Sequence, residues 1–159
     1  MVLPGIRLAT AADALAIADM SREYIEHGLG WSWNCARVAC AIADDSTNVA
    51  VVTLSGGVVA FGIMHYGDRT AHLALLAVHP MQRNRGIGAR LIAWLEKCAD
   101  TAGIERIRVE ARSDNPVAIA FYRKQGYIQT DRLANYYRGM LDAVRLEKTL
   151  RIAVRESRQ

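Results

Sequence analysis

The chain has 159 residues, 52% of them apolar and 23% charged, with a formal net charge of +4. That length suits one domain with a real core. No apolar run approaches a membrane span, and no basic region followed by an apolar block and cleavage site opens the chain, so neither insertion nor secretion is expected. Half of the net charge lies in the last nine residues, three arginines against one glutamate. The body therefore lacks the basic stripe with interleaved aromatics of a nucleic-acid surface, and no nucleic-acid or membrane partner is expected.

In chain order, Ile6 to Ala9 predicts a short first strand. Thr10-Ala11-Ala12-Asp13 has the form of a helix N-cap with an acid three residues on. That helix is expected to run to about His27 and to stop at Gly28 or Gly30. Trp31-Ser32-Trp33 falls in the next loop, and Asn34 to Ala43 predicts a second helix. Val49 to Leu54 and Val58 to Tyr66 are two strands joined across Ser55-Gly56-Gly57, a hairpin signal. Ala71 to Val78 is almost wholly apolar and predicts a strand buried on both faces.

The following helix places Ile87, Leu91, Leu95 and Cys98 on one stripe and ends near Gly103. Ile104 to Ala111 is a fifth strand. Asp114-Asn115-Pro116 starts a helix with proline in its first turn, and that helix stops at Gly126. Tyr127 to Tyr137 and Ala143 to Leu150 form a second hairpin. The order predicts an α/β domain with one mixed, mostly antiparallel sheet flanked by about four helices. It spans residues 1–150, with 151–159 a basic C-terminal tail, ordered or disordered.

Between the fourth strand and its helix lies the most informative segment, Arg83-Asn84-Arg85-Gly86-Ile87-Gly88-Ala89-Arg90. A glycine-rich loop entering a helix leaves backbone N–H groups unpaired at the positive end of the helix dipole, which suits a pyrophosphate. Arg83, Arg85 and Arg90 add charge. A P-loop would need Gly-Lys-Ser/Thr, and Gly88 is followed by Ala89-Arg90. A dinucleotide fingerprint would need a small residue where Leu91 stands. Arg-x-x-Gly-x-Gly remains, from Arg83 to Gly88. With Val78-His79-Pro80 before it, this run resembles the acetyl-CoA pyrophosphate loop of the GNAT acetyltransferase superfamily.

A second run strengthens the resemblance. Glu110 is followed by Asn115, Ala118, Tyr122, Gly126 and Tyr127, and then by Asn135-Tyr136-Tyr137 with Asp142-Ala143 behind. This pattern is similar to the ribosomal-protein-alanine and other protein N-terminal acetyltransferases, from about Leu75 to Leu150. The glycine at 139 comes one residue early, and Met140-Leu141 stand where that group is commonly polar. Before Leu75 the resemblance is general.

The resemblance implies acetyl-CoA as co-substrate. Leu76, Ala77 and Val78 would offer strand backbone to the pantetheine arm, and Arg83, Asn84, Arg85, Gly86, Ile87, Gly88 and Ala89 would hold the pyrophosphate. Asn115 is a further cofactor contact, Glu110 the general base and Tyr122 the general acid. Trp31, Tyr136 and Tyr137 are the candidate acceptor contacts. No metal is called for.

The chemistry fits these roles. Amide formation from a thioester needs a neutral amine, and an α-amine, with a pKa of about 8 against about 10.4 for lysine, loses its proton more readily. A carboxylate acting through water can take that proton. A tyrosine, with a pKa of about 10, stays protonated and can serve the departing thiolate.

Other readings stand beside these. Glu110 pairs with Arg108 or Arg112 as a surface carboxylate, Tyr122 is a half-buried helix residue beside Phe121, and His65 or His72 takes the base's place. Cys35, Cys40 and Cys98 form no CxxC pair, which suits a reduced cytoplasmic protein, and Cys98 reads as core rather than nucleophile.

The expected activity is transfer of acetyl to a primary amine by direct attack in a ternary complex, with a protein or peptide N-terminal amine favoured. A small amine (a polyamine or amino-sugar) or lysine is the alternative acceptor. A non-catalytic acyl-CoA-binding module is the alternative class. The expected state is a monomer or homodimer.

Overall fold

Apolar runs in β2, β3 and β4 and alternation in β5, four to ten residues long across the set and broken by turns, mark the strands, and all seven join one sheet in the order β1-β2-β3-β4-β5-β7-β6. The computed structural model describes residues 4–137, 139 and 141–150. The expected tail, 151–159, lies outside the described residues. The strands are β1 (Gly5–Leu8), β2 (Thr47–Leu54), β3 (Gly57–Tyr66), β4 (Thr70–Val78), β5 (Arg106–Arg112), β6 (Ile128–Tyr137) and β7 (Leu141–Thr149). The helices are α1 (Ala14–Tyr24), α2 (Cys35–Ala43), α3 (Ile87–Thr101) and α4 (Pro116–Lys124). β4 and β5 run parallel, as the helix between them requires. The ladders β1–β2, β2–β3, β5–β7 and β6–β7 are antiparallel. The sheet is therefore mixed and mostly antiparallel.

Two compact units divide the chain. The first holds the described residues up to His65 together with Ala74–Lys97. Its core packs Ile17, Met20 and Val38 of α1 and α2 against Val49, Val51, Phe61, Ile63, Leu75 and Ala77 of the strands. Close approach on the other face depends on Gly62, where an added Cβ would lie 2.8 Å from Leu95 Cδ1 and 3.2 Å from Leu76 Cδ1. The β2–β3 turn is a two-residue turn with positive φ at Ser55 (53°) and Gly56 (83°), the twist that hairpins favour.

The second unit holds Tyr66–Leu73 and the described residues from Cys98 onward. There Ile107, Val109 and Ala111 of β5 are buried, as are Val144 and Leu146 of β7, and Tyr122 meets Tyr127 edge to face with centroids 5.7 Å apart.

Several boundaries differ from expectation for local reasons. α1 ends at Tyr24 rather than His27, because Ile25 and Glu26 both direct their N–H to the Ser21 carbonyl (3.0 and 2.8 Å) and the Glu26 side chain turns into the following loop. β4 is not buried on both faces. Ala71, Leu73, Leu75 and Ala77 are buried, while His72, Ala74, Leu76 and Val78 are half-buried. Apolar composition shows what a face tolerates, not what covers it. The fully buried runs lie instead in the middle of β2 and β3. On α3 the buried residues include Ile87, Leu91, Ile92, Leu95 and Ala99, with Cys98 half-buried beside them.

Candidate active site

Glu110 stands on β5 with its side chain only 5% exposed. Period-two alternation puts it on the face opposite buried Val109 and Ala111. The antiparallel register sets Arg145 directly across from it on β7, and Arg145 Nε donates to Glu110 Oε2 at 3.0 Å. On the parallel side His72 sits opposite Arg108, and its Nε2 lies 2.5 Å from Glu110 Oε1. The Tyr136 hydroxyl donates to the same oxygen at 3.4 Å.

Burial by itself would raise the Glu110 carboxyl, but the hydrogen bonds and charges of His72 and Arg145 outweigh it and hold the pKa below the usual range. Both oxygens are thus engaged, and the carboxylate is weakly basic and covered. His72, whose side chain is 33% exposed, is the accessible member of the pair. With Nε2 directed at Glu110, Nδ1 is the nitrogen left to accept a proton.

A break in β6 aims Tyr136 at this pair. Leu133 pairs with Ala143 and Tyr137 with Leu141, so three residues of β6 oppose Asp142 alone. Asn135 takes a positive φ of 53° there, its N–H donates to Asp142 Oδ1 at 3.0 Å, and Arg132 Nη2 holds Asp142 Oδ2 at 2.9 Å. Tyr136 and Tyr137 meet edge to face, and Tyr122 lies on α4. Burial pushes the Tyr122 hydroxyl well above the ordinary tyrosine value. His72, Glu110, Tyr122, Tyr136 and Tyr137 all belong to the second unit.

The phosphate-type loop lies in the first unit. A short turn over Pro80–Gln82, with the Met81 N–H donating to His79 Nδ1, leads to an exposed stretch from Arg83 to Gly86. Asn84 (φ 62°) and Gly86 (φ 78°) are left-handed, and nothing stands within 4 Å of where a Gly86 Cβ would be. α3 begins at Ile87, so Gly88 is helical and only Gly86 uses glycine's freedom. The Arg90 N–H reaches the Gly86 carbonyl at 3.0 Å. Helix geometry leaves the earlier N–H groups of Ile87, Gly88 and Ala89 without intrahelical acceptors. Arg83 Nε is turned back to the Val78 carbonyl at 3.2 Å and Arg90 Nη2 to the Pro4 carbonyl at 3.3 Å. Leu76, Ala77 and Val78 form the end of β4. Asn115 caps α4, its Oδ1 accepting from the Ala118 N–H at 3.1 Å, which leaves Nδ2 for any other contact.

Trp31 is 37% exposed in the loop before α2, anchored by its Nε1–H to the Ala18 carbonyl at 3.2 Å. No motif or periodicity marks what holds this loop, which is Glu26. Its carboxylate accepts from the Ser21 hydroxyl (3.0 Å), the Ser32 N–H (2.8 Å) and hydroxyl (2.5 Å), and the Trp33 N–H (3.0 Å). His65, the other alternative base, has Nδ1 2.8 Å from Thr47 Oγ1 and stacks on Trp33, a structural setting.

Removing the Glu26 side chain leaves four donors without their acceptor, so Glu26→Ala is expected to cost about 2–3 kcal/mol in urea unfolding. Burial would raise this carboxyl, but the bonds from Ser32, Trp33 and Ser21 hold it below its ordinary value. Such a group contributes stability that is whole above its unfolded pKa, about 4.3, and is lost as pH falls through the lower folded value. Urea midpoints are expected to be level down to about pH 5 and to drop below about pH 4. Glu26→Gln is expected to show a shallower acid limb, and an unchanged limb would remove Glu26 as a cause.

A model of the Acetyltransferase (GNAT) family matches residues 15–127, well over half of the chain. The chain belongs to the GNAT acetyltransferase family. N-alpha-acetyltransferase MAK3 of Arabidopsis thaliana is 36% identical over 76 residues, 48% of this chain and 40% of that protein. The chain spans only about a third to a half of the length of the first relatives it matches. Among solved structures, the ribosomal-protein-alanine N-acetyltransferase from Escherichia coli superposes with a TM-score of 0.82 at 24% identity, covering 95% of this chain and 96% of that one. The yncA protein of Salmonella typhimurium, solved with its cofactor acetyl-CoA, gives 0.80 at 21% identity, covering 96% of each chain.

The superpositions show the same fold in those proteins. Sequence reasoning missed Arg145, because exposed strand alternation does not reveal which residue across a ladder meets Glu110. Of the two arginines expected beside Glu110, Arg108 lies 3.8 Å from it, and Arg112 pairs with Asp114 at 3.0 Å. No helix among the described residues is long and apolar enough to cross a membrane. No metal-binding group of three or more His, Cys, Asp or Glu occurs among them.

Proposed function

We propose that this chain transfers acetyl from acetyl-CoA to a primary amine by direct attack, with His72 rather than Glu110 as the base. The observation that carries the assignment is the His72 Nε2–Glu110 Oε1 contact, in which the carboxylate is covered and the imidazole half-exposed. In this reading Glu110 orients His72 and stabilises its protonated form, as a buried carboxylate does for a catalytic imidazole.

The amine nitrogen forms the new bond to the acetyl carbon while the carbonyl electrons move to oxygen. The backbone N–H groups of Leu76 to Val78 are the candidates to receive that charge. Collapse breaks the C–S bond and the thiolate leaves with the electron pair. His72 Nδ1 takes the amine's proton, and the Tyr122 hydroxyl supports the thiolate.

The loop from Arg83 to Ala89 suits the pyrophosphate through the open N–H groups at the start of α3. Asn115 is primarily a cap in this reading. Trp31, Tyr136 and Tyr137 remain the acceptor contacts, and residues 1–150 form one catalytic domain.

A protein or peptide N-terminus is the favoured acceptor, supported by the likeness to an N-alpha-acetyltransferase across 48% of the chain. Thiol release from acetyl-CoA tests this, scanned over free-N-terminus peptides, N-blocked lysine peptides, polyamines and amino-sugars. Turnover confined to free N-termini is expected. Turnover with small amines alone would keep the chemistry and discard the peptide acceptor. Acetyl-CoA binding without turnover across the panel would favour a non-catalytic module.

A further inference from the structure

Tyr136 is 44% exposed, yet its hydroxyl donates to Glu110 Oε1 at 3.4 Å. The regular pairing of its own strand does not set that direction. Between Leu133 and Tyr137 the β6–β7 ladder breaks, and the residues between them oppose Asp142 alone. A break of this kind re-aims a side chain, and something must hold it in place.

Asp142 holds it with both its side chain and its backbone. Oδ1 accepts the Asn135 N–H at 3.0 Å, next to the left-handed φ of 53° at that residue. A residue with a Cβ keeps such a φ only where its surroundings impose it. Oδ2 takes Arg132 Nη2 at 2.9 Å and Nε at 3.3 Å. The Asp142 carbonyl accepts the Ser113 N–H at 2.9 Å, just past the end of β5. One residue thus ties the bulge of β6 to the strand that carries Glu110. In the β5–β7 register Glu110 faces Arg145, and Asp142, an odd number of positions earlier, falls on the other face of the sheet. Its carboxylate therefore acts on the backbone before Tyr136 and not on the reacting groups.

We propose that Asp142 is a positioning residue of the acceptor site, setting the β6 backbone so that Tyr136 stands against Glu110 before the amine arrives. The proposal rests on Tyr136 as an acceptor contact. A ring placed in advance spares the complex the cost of ordering it on binding. Loss of that placement falls on the acceptor KM more than on kcat. Arg132 steadies the carboxylate, and the bond to the Asn135 N–H transmits its effect.

The amine that turns over fastest in the thiol-release panel is the probe. Asp142→Ala is expected to raise its KM about fivefold or more, with kcat within about twofold of the wild type. Asp142→Asn keeps an oxygen for the Asn135 N–H and is expected to stay within about twofold in KM. Tyr136→Ala removes the group being placed, so adding Asp142→Ala to it is expected to change KM by less than about twofold. A general loss of structure would instead multiply the two effects and raise the acetyl-CoA KM as well. Multiplying effects overturn the proposal, as does Asp142→Ala with a wild-type KM or Asp142→Asn as impaired as Asp142→Ala.

Nuclear magnetic resonance of protein carrying isotope-labelled tyrosine reads the placement without turnover. The Tyr136 ring signal, assigned by its loss in Tyr136→Ala, is expected to move with Glu110→Gln. Once Asp142→Ala is present it is expected to stop responding, and a signal that still responds overturns the proposal. Silence with every amine while that dependence holds would remove the transferase reading and leave Asp142 as the residue that places Tyr136.

Discussion

Replacing His72 with glutamine is expected to slow turnover by roughly 10²–10⁴-fold, the range a positioned proton acceptor supplies. Glutamine keeps a polar head near Glu110 but has no nitrogen that takes a proton. Glu110→Gln is expected to lose less, on the order of 10–10²-fold, because His72 remains while its orientation and the stabilisation of its charged form are lost. The pH–rate profiles separate the two roles. A carboxylate base with its pKa held down, as His72 and Arg145 hold Glu110, would keep the rate level well below pH 5. A wild-type rate persisting at pH 5, with Glu110→Gln worse than His72→Gln, would return the base to Glu110.

Tyr122→Phe is expected to lower turnover by more than tenfold and about 10²-fold if one donor to the thiolate is lost. Acetyl-CoA affinity is expected to change by about threefold or less, since the ring keeps its edge-to-face contacts with Phe121 and Tyr127. Burial raises it far above a thiol's value of about 8.5, so complete proton transfer to the thiolate is uphill. In the proposed mechanism Tyr122 is therefore a fixed hydrogen-bond donor as the C–S bond breaks, and the pH–rate profile is expected to show no basic limb from it. Single-turnover kinetics with acetyl-CoA bound beforehand isolate the step. An unchanged rate constant would remove Tyr122 from the mechanism.

Local signals carried most of the fold. Glycine turns, proline at the start of α4 and period-two runs marked the strands and helices to within a few residues. The loop from Arg83 to Ala89 was legible because its chemistry is local, a few backbone groups at one helix end. The proposed reacting pair was legible only in part. Glu110 stood out from its spacing to Asn115 and Tyr122, whereas His72 was merely one of several histidines near strands. Its pairing with Glu110 depends on the β4–β5 ladder, which runs from Thr70 opposite Arg106 to Leu73 opposite Val109. Registers across a parallel pair follow no turn, so no short-range rule gives them. Glu26 was hidden for a similar reason. Its partners lie up to seven residues on, in a loop without periodicity, and a glutamate near a helix end reads as solvated until its hydrogen bonds are seen.

The irregularity of β6 reaches beyond the chemistry. This strand closes one side of the sheet and is exposed along nearly its whole length, Ile128 included at 71%. A long flat border of that kind is a template on which another molecule can add a strand. Here the ladder slips between Gln129 and Asp131 and again between Leu133 and Tyr137, so straight runs are short. Asp131 and Arg132 put charges between the two slips. The kink that turns Tyr136 onto Glu110 thus also interrupts the row of backbone groups on which another strand would pair.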